Sequence, residues 1–247
     1  MDTETKIRWS HRPGYVGRTW NPMSGCTKVS PGCKHCYAMR IAEKFSGGPS
    51  FPVGFTPVLK PNKLDDPAKW KEPSMIFVNS MSDVFHDAFP DDYIDRVFEV
   101  MMQHPRHLYQ VLTKRPERMA SYVIGWLTRN GFDKVPAHIW LGVSVENQEW
   151  ADRRLPVLVG IEAHVLFVSA EPLLGPIDFA PWLDSLHWII VGGESGPDYR
   201  PMDHAWAGAI RDQCIEKGVA FYFKQSAAPR TEMGQLLDGE RWEQYPA

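Results

Sequence analysis

His138-Ile-Trp-Leu-Gly-Val-Ser-Val-Glu146 is the stretch of this sequence that decides its fold. Its apolar residues run almost without interruption, as in a strand that is covered on both faces of a sheet. Polar residues, Ser144 and Glu146, follow the apolar run directly. The pattern predicts a buried parallel strand whose carboxyl end carries polar side chains.

The same arrangement, an apolar β-rich run followed by polar residues, recurs from Ser74 onward. Helix-like stretches separate the runs, as in parallel strands joined by crossover helices. The predicted strands are Met75–Asn79, Leu108–Leu112, His138–Val143, Val165–Ser169, Trp188–Val191 and Ala220–Phe223, with an earlier one near Thr19–Asn21. Predicted helices cover Tyr37–Phe45, Asp91–Gln103, Pro116–Leu127, Gln148–Val159 and Asp203–Lys217.

These patterns predict an α/β fold in which the 247 residues form a single (β/α) barrel domain, partial rather than closed, with six to eight parallel strands. Residues 1–18 are expected to form an N-terminal extension and residues 226–247 a C-terminal tail or lid. All strands of a parallel barrel point their carboxyl ends to one face, and ligands bind there. The polar clusters should therefore surround one cavity.

Composition sets limits on partners and location. The chain has 27 basic and 30 acidic residues and a net charge of −3, so nucleic-acid binding would need a local basic patch. Lys6–Arg18 and Lys60–Lys71 are candidates, because basic and aromatic residues alternate there; solvated loops are the alternative. The sequence has neither a long apolar run nor a signal-peptide pattern at its start, so we expect a soluble, cytoplasmic protein without a membrane partner.

Three of the four cysteines follow the pattern Cys26-x6-Cys33-x2-Cys36. In a reducing compartment this grouping indicates metal or redox chemistry rather than disulfides. Soft thiolates select zinc, copper(I) or iron–sulfur clusters, and a structural zinc ion normally takes four ligands. Three cysteines suit a four-iron cluster with one iron open to a ligand, with zinc as the alternative. Cys214, mid-helix between apolar neighbours, is either a core thiol or a fourth ligand.

Longer motifs surround these cysteines, and through them the sequence resembles the phage-associated three-cysteine-motif proteins, a family of phages, prophages and bacteria without an assigned function. The resemblance is carried by Thr19-Trp-Asn-Pro, Gly25-Cys-Thr-Lys-Val-Ser-Pro-Gly-Cys-Lys-His-Cys-Tyr-Ala38, Val78-Asn-Ser-Met-Ser-Asp83, Gln110-Val-Leu-Thr-Lys-Arg-Pro116, Trp140-Leu-Gly-Val-Ser-Val-Glu146, Phe167-Val-Ser-Ala-Glu-Pro-Leu-Leu-Gly-Pro176, Val191-Gly-Gly-Glu-Ser-Gly196 and Phe223-Lys-Gln225.

That family is similar in turn to radical S-adenosylmethionine enzymes, including the spore photoproduct lyase branch. The resemblance implies a barrel like theirs, a [4Fe-4S] cluster held by Cys26, Cys33 and Cys36, and S-adenosylmethionine as a second cofactor. Those enzymes mostly place three residues and then two between their cysteines, whereas this chain places six and then two. Ser226-Ala-Ala also stands where relatives have Trp-Gly, which implies a different C-terminal lid.

S-adenosylmethionine needs a carboxylate for its amino group, a cation for its carboxylate and polar partners for its ribose. The cofactor-binding candidates are Asp83 and Glu194 for the amino group, Arg115 for the carboxylate, Ser144 and Glu146 for the ribose, Tyr37 beside the adenine, and Gly192 and Gly193 for close backbone approach. Lys114, Glu171 and Lys224 are the catalytic candidates, and Lys114 is also a candidate for the carboxylate. The alternative is an ion-pair network across a filled barrel mouth.

Three functions remain open at this point. The first is a radical S-adenosylmethionine-type enzyme, a lyase or transferase, acting on a nucleobase, a nucleic acid or another substrate. The second is a non-radical iron–sulfur accessory protein or redox sensor, and the third is a zinc-stabilised binding module.

Overall fold

The computed structural model describes residues 4–247, so the first three residues of the predicted N-terminal extension lie outside it. The strands are β1 (Val16–Trp20), β2 (Met23–Ser24), β3 (Val58–Leu59), β4 (Ser74–Val78), β5 (Leu108–Thr113), β6 (Ile139–Ser144), β7 (Leu166–Ala170), β8 (Trp188–Gly192) and β9 (Ala220–Gln225). The helices are α1 (Tyr37–Lys44), α2 (Asp66–Lys69), α3 (Asp91–Gln103), α4 (Pro116–Asn130), α5 (Gln148–Val159) and α6 (His204–Lys217).

Seven of the strands form one curled parallel sheet in the order β1-β4-β5-β6-β7-β8-β9, a half-barrel with β1 and β9 at its edges. Helices α3 to α6 each connect neighbouring strands, which is the connection that parallel strands require. Strands β2 and β3 pair separately as a small antiparallel ribbon. The α/β class, the partial barrel and the strand number are confirmed, whereas the relation to radical enzymes stays a prediction.

Strand residues alternate between two apolar layers, because successive side chains point to opposite faces of a sheet. The outward residues of β6, Ile139, Leu141 and Val143, belong to the large core that the helices cover. The inward residue Trp140 belongs to a second cluster inside the half-barrel, which is built mainly of aromatic rings. The near-continuous apolar runs in the sequence reflect this burial on both faces.

Trp9 packs inside the half-barrel. It lies in a short 3₁₀ turn, Arg8–Ser10, that contacts both edge strands and β4. Its ring centroid is 4.7 Å from that of Phe77 and 6.0 Å from that of Trp188. The N-terminal segment therefore supplies an interior side chain and covers the gap between the edge strands.

Side chains and glycine cap the ends of helices α5 and α6. Asp203 accepts a hydrogen bond from the backbone of Ala205 at the start of α6 (2.8 Å), and Asn147 does the same from Trp150 at the start of α5 (3.2 Å). Helix α6 ends at Gly218, whose φ of +69° is in the left-handed region that glycine adopts without strain. Within residues 4–247 no helix is long and apolar enough to cross a membrane.

Candidate active site at the carboxyl ends of the strands

A cavity of about 490 Å³ opens at the carboxyl ends of the parallel strands. Trp9 and Phe77 form its floor, and Cys26, Cys33 and Cys36 all lie in its wall. Side chains that follow the strands complete the wall, among them Asp83, Lys114, Arg115, Ser144, Glu171, Glu194 and Lys224. The polar clusters predicted to surround one cavity do so.

The three cysteines lie on the loop that connects the β2 strand to helix α1. All three are half-buried free thiols. Cys214 is different, because it lies on the buried face of α6 in the outer core, and burial raises its pKa to about 12. Of the two alternatives for Cys214, its position agrees with a core thiol, and it does not line the cavity.

Asp83 and Arg115 fix the first part of this loop. The Arg115 guanidinium donates to Asp83 Oδ2 (3.0 Å), to Thr27 Oγ1 (3.0 Å) and to the Thr27 carbonyl (3.2 Å). Its Nη1 also lies 3.5 Å from the sulfur of Cys26. The second carboxylate oxygen of Asp83 accepts from the Thr113 hydroxyl (2.7 Å), so this pair connects the ends of two strands to the loop.

Glu146 and Arg154 fix the middle of the loop. The Ser30 hydroxyl donates to Glu146 Oε1 (2.6 Å), and Arg154 donates to Oε2 (3.1 Å). Both charged side chains are almost fully buried. A Cβ atom at Gly32 would overlap the Glu146 carboxylate, so only glycine allows the loop to approach this closely.

Glu194 and Arg200 fix the last part. Arg200 donates to both carboxylate oxygens of Glu194 (2.6 and 2.9 Å) and also to the Pro31 carbonyl (3.0 Å). His35 lies 3.1 Å from the same carboxylate through Nδ1. The acids that follow β4, β6 and β8 thus each pair with an arginine, and the three pairs hold the cysteine loop at the cavity.

This arrangement divides the predicted site residues into two groups. Asp83, Arg115, Glu146 and Glu194 belong to the acid–arginine pairs that contact the cysteine loop, so they position the cysteines, although Asp83, Arg115 and Glu194 also line the cavity. Lys114, Glu171, Lys224, Ser144 and Tyr37 line the cavity itself. Lys224 Nζ lies 2.6 Å from Glu171 Oε1, and Lys114 Nζ lies 3.8 Å from Glu146 Oε1.

Gly193, directly after β8, is required by the chain's own packing, and Gly192 at the end of β8 is tightly packed as well. A Cβ atom at Gly193 would overlap the backbone of Ala227, and one at Gly192 would lie 3.3 Å from the carboxyl carbon of Glu171. Gly193 also donates its N–H to the Gln225 carbonyl (2.9 Å). The backbone that approaches Gly193 closely is therefore that of the segment after β9.

Two of the cavity thiols differ in their electrostatic surroundings. Burial, followed by the nearby Asp83 carboxylate, raises the pKa of Cys26 to about 11 despite the neighbouring Arg115. Burial also acts to raise the pKa of Cys33, but the ammonium of Lys114 and hydrogen bonds at Ser30 outweigh it, so this pKa is lowered. Cys33 is accordingly the more readily ionised of the two.

Asn79 is a site residue that sequence reasoning did not single out. It follows β4 with a φ of +60°, is only 2% exposed and lines the cavity. Neither its Nδ2 nor its Oδ1 has a hydrogen-bond partner within the described residues. The polar cluster after β4 contained Asn79, but no pattern distinguishes an unpartnered amide from a paired one.

The donor set bears on which metal group would fit. Within residues 4–247 no three His, Cys, Asp or Glu side chains converge closely enough to hold one metal ion. A mononuclear zinc site needs every sulfur at about 2.3 Å from a single ion. In an iron–sulfur cluster each cysteine ligates its own iron, so the thiols stand farther apart. The three thiols share the wall of one cavity, and soft thiolates are the ligands that iron–sulfur clusters and zinc both accept.

Comparison with known proteins gives a family and no activity. The model of a family described as "Protein of unknown function (DUF5131)" matches residues 4–246. Neither the curated proteins nor the solved structures give a match.

Proposed function

The chain belongs to the family of proteins of unknown function DUF5131, and from its site we propose that it is an iron–sulfur enzyme of the radical S-adenosylmethionine type. One observation carries the proposal: Cys26, Cys33 and Cys36 share the wall of a single cavity at the carboxyl ends of a parallel half-barrel. Ligand sites of such sheets lie at this end.

In this proposal Cys26, Cys33 and Cys36 hold a four-iron cluster and leave one iron without a protein ligand. The bound group would supply one-electron chemistry, by reducing the sulfonium of S-adenosylmethionine and so starting a radical reaction. The three acid–arginine pairs hold the loop in place and keep its backbone from moving into the cavity. The apolar floor of Trp9 and Phe77 keeps water from the deepest part.

The cavity side chains then have distinct roles. Lys114, beside Cys33 and only loosely paired with Glu146, is the cation that would bind a carboxylate. Lys224 donates a hydrogen bond to Glu171 in an ion pair, and it would hold or deliver a proton at its Nζ. Ser144 would donate to a ribose hydroxyl, and Tyr37 at the mouth would contact the adenine.

A non-radical iron–sulfur protein is the second candidate. It is favoured by one observation: Asp83 and Glu194, the acids available for the amino group of S-adenosylmethionine, are both paired with arginines that anchor the loop. Cleavage of S-adenosylmethionine by the reduced protein would decide between the two candidates, because only the first predicts it.

Metal analysis of the anaerobically purified protein tests the cluster, with Cys33→Ala as the variant and Cys214→Ala as its matched control. We expect iron and sulfide in the parent protein and in the control, and their loss in Cys33→Ala, because Cys214 lies outside the cavity. Stoichiometric zinc without iron, or a cluster retained by Cys33→Ala, would contradict the proposal.

A further inference from the structure

The segment from Gly25 to Leu64, which forms one rim of the cavity, is strongly basic. It contains six lysines and arginines and one acidic residue, Glu43, in a chain whose net charge is −3. Lys28, Lys34, Arg40, Lys44 and Lys63 are exposed. Positive charge is therefore concentrated on this segment, of which residues from Cys26 to Ile41 line the cavity, although the overall composition is balanced.

Helix α1, within this segment, has an exposed face that combines aromatic and cationic side chains with the aliphatic Ile41. Tyr37, Arg40 and Lys44 follow one another at helical spacing, and Phe45 comes directly after the helix. Tyr37 is 42% exposed and Phe45 is 56% exposed. The opposite face of α1, with Ala38 and Ala42, is buried. Cations that track phosphates, interleaved with rings that stack on bases, are typical of single-strand binding surfaces.

The same face leads into the cavity. Tyr37 and Arg40 line its mouth, and Asn79 lies in its wall with an unpartnered amide. An amide offers one donor and one acceptor side by side, which complements the hydrogen-bonding edge of a nucleobase. The aromatic rings of Trp9 and Phe77 provide the apolar floor that a base would contact.

We propose that the exposed face of α1 binds single-stranded nucleic acid and that one base of the strand enters the cavity, where Asn79 binds its edge. An unpaired strand is specified because a base inside a duplex cannot reach a buried amide. An acidic protein would match the charge but not the exposed rings or Asn79. The inference names the substrate class of the proposed function and rests on it for chemistry, whereas binding itself needs no cluster.

A pair of double variants tests the surface. Lys44→Ala with Phe45→Ala removes one exposed lysine and one exposed ring from the proposed surface. Phe132→Ala with Lys134→Ala removes the same two side-chain types from the loop before β6, at the opposite end of the sheet. Fluorescence anisotropy would measure the affinity for labelled single strands of about twelve nucleotides, as DNA and as RNA.

For the α1 double variant we expect a dissociation constant about tenfold higher than that of the parent. The dependence of log affinity on log salt should become shallower by about 0.7 for the lost phosphate contact. The control should bind like the parent. Equal losses in both double variants, or parent affinity in the α1 variant, would overturn the proposal. Tighter binding to polyglutamate or to anionic vesicles than to either strand would overturn it as well.

Asn79→Asp tests the cavity, because it keeps the shape of the side chain but removes the amide donor. We expect several-fold weaker binding of the normal strand and unchanged binding of an abasic strand of equal length. The same affinity of Asn79→Asp and parent for the normal strand would show that no base reaches this amide.

Iron-loaded protein that binds no strand would overturn this inference alone. Strand binding by protein that is unable to form a cluster would overturn the proposed function alone.

Discussion

Individual polar residues in this protein act mainly on one another. The sequence shows acids and cations at the ends of strands, and their convergence at one cavity follows from parallel topology. It does not show that Asp83, Glu146 and Glu194 each pair with an arginine, because two of those partners, Arg154 and Arg200, lie within helix α5 and a loop. Which acid pairs with which arginine therefore depends on distances in the folded structure, and the spacing of residues in the sequence does not predict them.

The buried pair of Glu146 and Arg154 gives the first prediction. Arg154→Met would leave the Glu146 carboxylate buried without its guanidinium partner, which should lower the free energy of unfolding by about 3 kcal/mol. Urea denaturation measures the change. Adding Glu146→Gln to the Arg154→Met variant removes the unpaired charge and should recover much of the loss. A double variant no more stable than the single one would contradict the ion-pair account.

Gln110 gives the second prediction. It is fully buried on the inner face of β5, and neither amide atom has a hydrogen-bond partner within residues 4–247. Gln110→Leu replaces this unpaired amide with an apolar side chain of similar size, so we expect the free energy of unfolding to rise by about 1 kcal/mol. The same urea titration applies here, and a clear loss of stability would show that the amide has a stabilising partner.

At the scale of elements, regular periodicity made most of the fold predictable. The bounds of α3 and α5 were predicted as they are found, and the seven sheet strands lie where the apolar runs were, apart from shifts at their ends. The two-residue strands β2 and β3 and the one-turn helix α2 were missed. Elements this short contain too few residues for any repeat to be visible in the sequence.

Two histidines each accept a hydrogen bond from the backbone at the start of a sheet strand, and they give the third prediction. His107 Nδ1 accepts from the backbone N–H of Ser74 at the start of β4, and His187 Nδ1 accepts from Leu166 at the start of β7 (3.1 Å each). A protonated ring cannot accept these bonds. Burial lowers the pKa of His107 to about 4 and also lowers that of His187.

Because the folded pKa of His107 lies below the unfolded value of about 6.5, its contribution to stability is complete above that pH and is lost as pH falls toward 4. We expect the free energy of unfolding to fall by about 3 kcal/mol over this range through His107. Urea titrations at several pH values measure it. His107→Asn, which keeps an acceptor for Ser74, should flatten the profile; an unchanged profile would contradict the assignment.

The whole molecule is a half-barrel whose interior is completed by segments outside the sheet. The sequence predicted the class and the strand number, but Trp9 lay in a stretch without periodicity and was assigned to an extension. Its contacts with Phe77, Phe167 and Trp188 arise only once the sheet has curled around it. Long-range packing of this kind leaves no local signal.

Trp9→Ala gives the fourth prediction. Trp9 is almost fully buried, and its loss would leave a void in the cavity floor and in the aromatic cluster to which it belongs. We expect the free energy of unfolding to fall by about 3 kcal/mol or more. Calorimetry or urea titration would measure this, with Trp182→Ala, at a partly buried position outside the half-barrel, as the control. A loss in Trp9→Ala no larger than in the control would contradict the role of Trp9 as an interior plug.

We propose that the three thiols around one cavity hold a cluster with an open coordination position. Electron paramagnetic resonance of the anaerobically reduced protein, recorded before and after addition of S-adenosylmethionine, tests it most directly. We expect the signal of a reduced four-iron cluster whose shape changes when S-adenosylmethionine binds. The absence of any cluster signal, or a signal that S-adenosylmethionine leaves unchanged, would contradict it.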